Sequence, residues 1–177
     1  MATPAPEPTG SIATALAHTA RLLGPQPQLA AEQARAILEA APGHAQARLF
    51  LGIAQRRSGE VAAALATLAA LARVPPGNAD VVFVYGITLA EAGRGDQARA
   101  ALTEATRLRP GHAEAWRALG DQHLLAGDSE AADAAYALQI RASVTEPQLL
   151  QAAAALGDGK LAVAEALGPV SSEREAD

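Results

Sequence analysis

Three stretches of this sequence follow one template: PGHAQARLFLGIAQRRSG at 42–59, PGNADVVFVYGITLAEAG at 76–93 and PGHAEAWRALGDQHLLAG at 110–127. Each starts with Pro-Gly, has a second glycine in the middle and ends on a third glycine, and the template recurs every 34 residues. An alanine further along keeps the same period, at Ala64, Ala98 and Ala132. Landmarks that share one period over three units identify an internal repeat.

The glycines and the proline of the template predict where helices touch and where they end. Gly52, Gly86 and Gly120 lie in mid-helix, where glycine costs about 1 kcal/mol relative to alanine, so we expect a neighbouring helix to approach closely there. Gly59 and its equivalents come where the first helix should end, because glycine adopts the left-handed conformation at the lowest cost. The proline closes the second helix because it lacks an N–H. The unit is therefore helix, tight turn, helix, proline.

The composition favours helices and excludes several classes of protein. The chain has 47 alanines and 22 leucines among 177 residues, and only 3% of its residues are aromatic, which suits helices that approach through alanine. Strand-forming residues are too sparse and scattered for an all-β fold. The absence of cysteine excludes a disulfide framework, a thiol nucleophile and an iron–sulfur site. A net charge of −5 argues against a nucleic-acid partner, since no basic excess is present to neutralise phosphates.

The sequence also predicts a domain organisation. We expect a disordered Pro-rich N-terminus at 1–10, a helical array at 11–167 and a disordered polar tail at 168–177. Within the array the approximate repeat boundaries are 11–44, 45–78, 79–112 and 113–146, with a partial repeat at 147–167. No secretory signal is readable, and the longest weakly polar stretch, 61–74, is shorter than the roughly 20 residues that cross a bilayer. These features predict a cytoplasmic protein without a membrane partner.

The repeat resembles the tetratricopeptide repeat, whose pattern runs W-x2-L-G-x2-Y, then A-x3-F, then P. The third unit matches it best, with Trp116, Leu119, Gly120, Ala132 and, in place of Phe, Tyr136. The resemblance implies an all-α fold, a right-handed superhelical solenoid of antiparallel helix pairs in which three well-matched repeats are flanked by degenerate pairs. It also implies a protein-binding scaffold whose first helices line a concave groove.

A second resemblance suggests an alternative function. The stretch from Ala113 to Leu156 looks like the N-terminal repeat region of bacterial tetratricopeptide-repeat sulfotransferases. Those proteins continue into a catalytic domain, whereas the polar tail at 168–177 is too short for one, and no Gly-rich phosphate loop is present. The resemblance implies a truncated or detached regulatory region of a sulfotransferase-type enzyme.

One face of the first helices is the predicted partner-binding surface. Helical spacing places Phe83 and Ile87 on a different face from Tyr85 and Leu89. Carrying this register to the other units gives the predicted groove residues: Leu49, Ile53, Arg56, Phe83, Ile87, Glu91, Arg117, Asp121 and Leu124. An apolar first half and a mixed-charge edge favour a protein or peptide segment with apolar anchors. The alternative is that these apolar side chains only pack against neighbouring repeats or the N-terminal helix.

The sequence predicts no catalytic centre, cofactor or metal site. His44 and His112 occupy equivalent positions between repeats, so we expect both to be exposed loop residues. His123 stands where the repeat pattern has tyrosine, and Asp121, two residues away on the same helix, points elsewhere. None of these histidines has a recognised metal-ligand spacing. We therefore expect a non-enzymatic protein.

Two further expectations concern packing. Trp116, the only tryptophan, stands at the motif position that packs between paired helices, so we expect it in the core. The predicted last helix, which contains Leu161, Val163 and Leu167, ends the stack without a convincing polar cap, and self-association through this C-terminal end is a third hypothesis.

Overall fold

The computed structural model describes residues 11–74 and 77–144, and in these ranges it contains α-helices and no strand. In chain order the described helices are α1 (Ile12–Leu22), α2 (Pro27–Ala40), α3 (Ala45–Arg57), α4 (Val61–Ala72), α5 (Ala79–Glu91), α6 (Gly95–Leu108), α7 (Ala113–Leu125) and α8 (Ser129–Ser143). Several predictions lie outside the described residues, namely those for 1–10, Pro76, 147–167 and 168–177.

The described residues form two compact units, one from Ser11 to Glu104 and one from Ala105 to Val144. In the first unit α1 packs on α2, α2 on α3, α3 on α4 and α4 on α5. Contacts of α3 with both α1 and α5 bring these alternate helices to one side of the unit. In the second unit α7 packs on α8.

Side chains just before the helices bind the free N–H groups of the first turn. Ser11 Oγ accepts a hydrogen bond from the Thr14 N–H at the start of α1. The Asp128 carboxylate accepts one from the Ala131 N–H at the start of α8. His44 and Asn78, which are equivalent in the repeat, cap α3 and α5 through Nδ1 and Oδ1. Each cap satisfies donors that have no partner within the helix. The segments between repeats therefore start the next helix as well as ending the last.

The turn glycines behave as the sequence predicts. Gly59, Gly93 and Gly127 have φ angles of 81°, 72° and 80°, in the left-handed region that glycine enters without a steric penalty. Each lies two residues after the last residue of the first helix of its pair. These short turns fold the two helices of a pair back against each other.

The mid-helix glycines are sites where the two helices of a pair approach closely, which confirms the prediction made for them from the sequence. A methyl group at Gly52 would lie 2.6 Å from Leu68 Cγ, and one at Gly86 would lie 2.9 Å from Leu102 Cγ. In the second unit a methyl group at Gly120 would lie 2.6 Å from Tyr136 Cε1. The helices of each pair are therefore close enough that only glycine fits without displacement of the facing side chain.

Alanines and a few leucines form the core. Among the described residues, the largest fully buried side chains are those of Leu68, Leu89, Leu102, Thr19 and Thr88. Thr88 Oγ1 donates to the Val84 carbonyl at 2.6 Å, and Thr19 Oγ1 donates to the Ala15 carbonyl at 2.8 Å, so neither hydroxyl is buried without a hydrogen bond. In the part of the chain that the structure describes, eight alanines have no exposed surface: Ala30, Ala34, Ala47, Ala54, Ala64, Ala98, Ala105 and Ala115.

Two packing predictions need correction. Trp116 is half-buried, and its Nε1–H donates to the Pro110 carbonyl at 2.8 Å. The ring therefore reaches the surface, where its polar edge fixes the segment before α7. His112 is buried, with 7% of its surface exposed, instead of lying in an exposed loop. Its Nδ1 lies 3.1 Å from Glu114 Oε2, a partner that accounts for a polar ring in a buried position.

Candidate functional site

In the first unit, the predicted groove residues of α3 and α5 form one surface, which we call the inner face. It consists of Leu49 and Ile53 on α3 and Phe83 and Ile87 on α5, and all four are half-buried. Residues four apart lie on the same face of a helix, and α3 touches α5. The four apolar side chains, which together we call the apolar strip, are therefore neither core nor fully exposed.

An ion pair borders the inner face at the C-terminal ends of α3 and α5. Arg56 Nη1 lies 2.5 Å from Glu91 Oε1, with 18% and 41% of the two side chains exposed. The pair links the last turns of two helices that are 35 residues apart in sequence. Nearby, Thr67 Oγ1 donates to Gln55 Oε1 at 2.8 Å and joins α3 to α4. These contacts hold the helices that carry the apolar strip in fixed register.

The remaining predicted groove residues lie on α7, in the second unit. Arg117 and Asp121 are exposed, and 58% of Leu124 is exposed. The Tyr136 hydroxyl donates to Asp121 Oδ1 at 2.8 Å. This hydrogen bond to a carboxylate raises the pKa of Tyr136 above its usual value near 10 because it favours the protonated phenol. The face of α7 is therefore charged where the inner face is apolar.

Histidines and carboxylates of the second unit form separate pairs. His123 Nδ1 lies 3.6 Å from Asp128 Oδ2, while Glu114 is bound to His112. The pKa of Glu114 is lowered chiefly because its carboxylate accepts a backbone N–H, and His112 lowers it further. Within residues 11–74 and 77–144, no group of three His, Cys, Asp or Glu side chains could hold a metal ion. These pairs are helix-end contacts typical of a structural role.

Sequence reasoning missed two of these contacts. The hydrogen bond from Tyr136 to Asp121 had a signal, since tyrosine stands where the repeat pattern has phenylalanine and its extra hydroxyl needs a partner. The burial of His112 had none, because His44, at the equivalent position, is only half-buried. That difference arises from packing around each unit, which the repeat period does not specify.

The described helices are short compared with a membrane span. None of them, within 11–74 and 77–144, is long and apolar enough to cross a bilayer. The longest described helix, α8, has 15 residues, whereas a span needs about 20.

Solved structures of proteins named MamA have a similar arrangement of helices. MamA 41-end from Desulfovibrio magneticus RS-1 shares 17% identity at a TM-score of 0.66 and covers 75% of each chain. A structure titled MamA MSR-1 C2 shares 21% identity at a TM-score of 0.61, over 78% of this chain and 80% of the other. A third, a crystal structure of MamA protein, shares 20% identity at a TM-score of 0.63, over 88% and 87%. At such identities the likeness shows the fold, an all-α repeat solenoid.

Sequence comparisons give the family. No curated protein matches the chain significantly, and nothing found supports the resemblance to sulfotransferase repeat regions. The family model described as tetratricopeptide repeat matches residues 25–80 and 83–144, which is more than half of the chain. The helix pairs, the turn glycines and the close approaches at Gly52, Gly86 and Gly120 are the structural counterparts of that match, and the chain belongs to the tetratricopeptide-repeat family.

Proposed function

We propose that this protein is a non-catalytic cytoplasmic scaffold whose inner face binds a protein or peptide segment with apolar anchors. The observation that carries the proposal is the strip of Leu49, Ile53, Phe83 and Ile87, which is half-buried on two helices that contact each other. Leu68 and Leu89, which belong to the core, are by contrast almost completely buried.

The expected affinity of such a strip is moderate. Completing the burial of a half-buried Leu, Ile or Phe side chain gains about 1 kcal/mol, and association itself costs several kcal/mol. Four such side chains therefore need a partner that adds contacts elsewhere. Because the Arg56 and Glu91 charges neutralise each other, the border of the strip supports orientation of the partner more than affinity.

The test is affinity capture from a lysate of the protein's own cells, followed by mass spectrometry. The variants Ile87→Glu and Phe83→Glu place a charge in the apolar strip and should abolish capture of the specific partner while far-ultraviolet circular dichroism stays helical. Ala70→Glu is the matched control, since Ala70 is an exposed residue of α4 outside the strip. If both glutamate variants capture the same proteins as the control, the inner face is not the binding site.

Self-association is a second proposal, favoured by exposed apolar side chains in the second unit. Leu124 and Leu125, neighbours at the end of α7, are 58% and 81% exposed, and Ile140 on α8 is 55% exposed; large exposed apolar groups support a contact between proteins. Leu161, Val163 and Leu167, which first suggested this hypothesis, lie outside the described residues. Sedimentation of the full chain should show mass rising with concentration, and Leu125→Lys should reduce that rise. A monomer at every concentration contradicts self-association.

A further inference from the structure

A second surface of the first unit, which we call the α4 groove, lies along α4 and beneath the α5–α6 turn. It is a cavity of about 620 Å³ whose walls include Ala62, Ala66, Ala69, Arg73, Tyr85 and Arg94. A neighbouring cavity of about 350 Å³ shares Ala69, Arg73 and Tyr85 with it, so the two form one groove around the tyrosine ring. Among the inner-face residues and their bordering ion pair, only Glu91 also lines this larger cavity.

The α4 wall of this groove is unusual within the array. No charged residue occurs between 61 and 72, and Ala62 and Ala66 are exposed. The repeat period places polar residues at the positions equivalent to Ala62, namely Gln28, Asp96 and Glu130, whereas the equivalents of Ala66 are Glu32, Ala100 and Ala134. Among these repeats α4 alone therefore has a small side chain at both positions, which leaves this part of its surface open.

Two arginines give the groove a positive charge. Arg73 caps the C-terminal end of α4, while Arg94 lies in the turn before α6, at the end where α4 begins, because paired helices run in opposite directions. Neither arginine forms an ion pair with another residue of the described ranges. Two carboxylates also line the groove, those of Glu91 and Glu104. Glu91 is already bound by Arg56, and Glu104 has an interaction of its own, so neither carboxylate neutralises the two arginines fully.

We propose that the α4 groove binds a short acidic peptide segment with a small apolar middle and a carboxylate towards each end. Arg73 and Arg94 attract the two carboxylates, and the alanine surface between them accepts small apolar side chains. From Val61 to Arg73 the helix rises about 18 Å, a distance that about six residues of extended peptide span. A fatty acid has one carboxylate and leaves the second arginine without a partner. The groove is thus a second binding site, independent of the inner face.

The experiment is a nuclear magnetic resonance titration of the isotope-labelled full chain with three synthetic hexapeptides. The probe is Asp-Val-Ala-Val-Ala-Asp, and its matched controls carry Lys or Asn in place of both Asp residues. We expect the acidic peptide to shift the amide signals of Ala62, Ala66, Ala69 and Tyr85, and to do so less at higher salt because the ionic contacts are screened. The Lys peptide should leave these signals unchanged.

Two substitutions of alanines on α4 by glutamate locate the site. Ala66→Glu fills the groove with a negative charge and should weaken binding of the acidic peptide by about tenfold or more. Ala70→Glu makes the same change at an exposed position of α4 that does not line either cavity, and it should bind as the wild type does. Arg73→Glu and Arg94→Glu should each weaken binding by a smaller factor.

Several results would overturn the proposal. In the wild-type chain these are no change of amide signals at millimolar acidic peptide, equal changes with the Lys peptide, or changes confined to Leu49, Ile53 or Ile87. Equal binding of the acidic peptide by the Ala66→Glu and Ala70→Glu variants would also overturn it. Dodecanoate that binds in an Ala66-dependent way where the acidic peptide does not would assign the groove to a lipid-like ligand instead. Concentration-dependent dimerisation lost in Ala66→Glu would assign it to a second copy of the chain.

Discussion

In the first two template repeats a buried leucine lies opposite the mid-helix glycine, whereas in the third a tyrosine occupies that place. Leu68 and Leu102 have no exposed surface and face Gly52 and Gly86. Tyr136 faces Gly120 with its ring edge but is only half-buried, because its hydroxyl continues outward to Asp121. One backbone geometry therefore supports two kinds of packing, a closed apolar contact and an open polar one.

The difference extends to the predicted partner-binding residues. In the first unit α3 and α5 present apolar side chains, and the ion pair at their border is satisfied within the unit. In the second unit Asp121 is bound to Tyr136, while Arg117 and Leu124 are exposed. In the third template repeat the residue opposite the glycine thus reaches a predicted partner-binding residue through its hydroxyl, whereas the buried Leu68 and Leu102 have no polar group to do so.

Truncation of the buried leucine that faces Gly52 should have the largest effect on stability. Leu68→Ala removes a fully buried side chain and should lower the free energy of unfolding by about 2–5 kcal/mol, from lost burial and the cavity left behind. Urea unfolding followed by circular dichroism measures it. Leu124→Ala, at a position 58% exposed, is the control and should change stability by less than about 0.5 kcal/mol. Equal effects would contradict the assignment of Leu68 to the core.

Adding a methyl group tests how far each contact can yield. Gly52→Ala should destabilise by about 1–3 kcal/mol from overpacking, offset by about 1 kcal/mol of improved helix propensity, because Leu68 is enclosed on all sides. Gly120→Ala should be close to neutral, since the half-buried ring of Tyr136 can swing outward. Thermal unfolding of both variants in parallel measures the difference. Equal melting temperatures would show that the tyrosine contact is as rigid as the leucine contact.

Removing the hydroxyl should have a smaller effect still. Tyr136→Phe keeps the ring against Gly120 and loses only the hydrogen bond to Asp121, so we expect a slight decrease in the melting temperature. Asp121→Ala should lower it by a similar amount, and the double variant should add little, because one interaction is lost in all three. Fully additive losses would mean that the two side chains act separately.

The smallest effect concerns pH. The hydrogen bond to Asp121 raises the pKa of Tyr136, so its stabilisation is fully present below the unfolded pKa of about 10 and is lost as pH rises through the folded value. Tyr85→Phe leaves Tyr136 as the only tyrosine, and absorbance at 295 nm follows its titration. Asp121→Asn in that background should move the midpoint down towards 10. A midpoint that does not move would remove the carboxylate as the cause.

Much of the architecture could be predicted because the repeat period carries it. The glycine ladders correctly located the turns at Gly59, Gly93 and Gly127 and the close approaches at Gly52, Gly86 and Gly120. These positions depend on backbone conformation and on the size of one side chain, which are local properties. The inner-face residues were selected by helical spacing alone, and their role in binding stays a prediction.

Residue environments were harder to predict where equivalent positions differ. His44 and His112 have the same place in the repeat, yet one caps a helix and the other is buried against Glu114. Trp116 matches the most prominent residue of the motif and is still half-buried, because its N–H binds the Pro110 carbonyl. A motif specifies which direction a side chain takes from its helix, but not how much neighbouring chain covers it.

The sequence by itself determined the helix–turn–helix unit, its period of 34 residues and the positions where helices must touch, because steric limits on glycine and proline act within a few residues. The tertiary structure alone decided which polar groups meet. It brought Arg56 to Glu91 across 35 residues, placed Tyr136 on Asp121 and opened a groove beside the bare alanines of α4. Such contacts depend on the distance between helices and on side-chain volume summed over several elements, and no short stretch of sequence contains that sum.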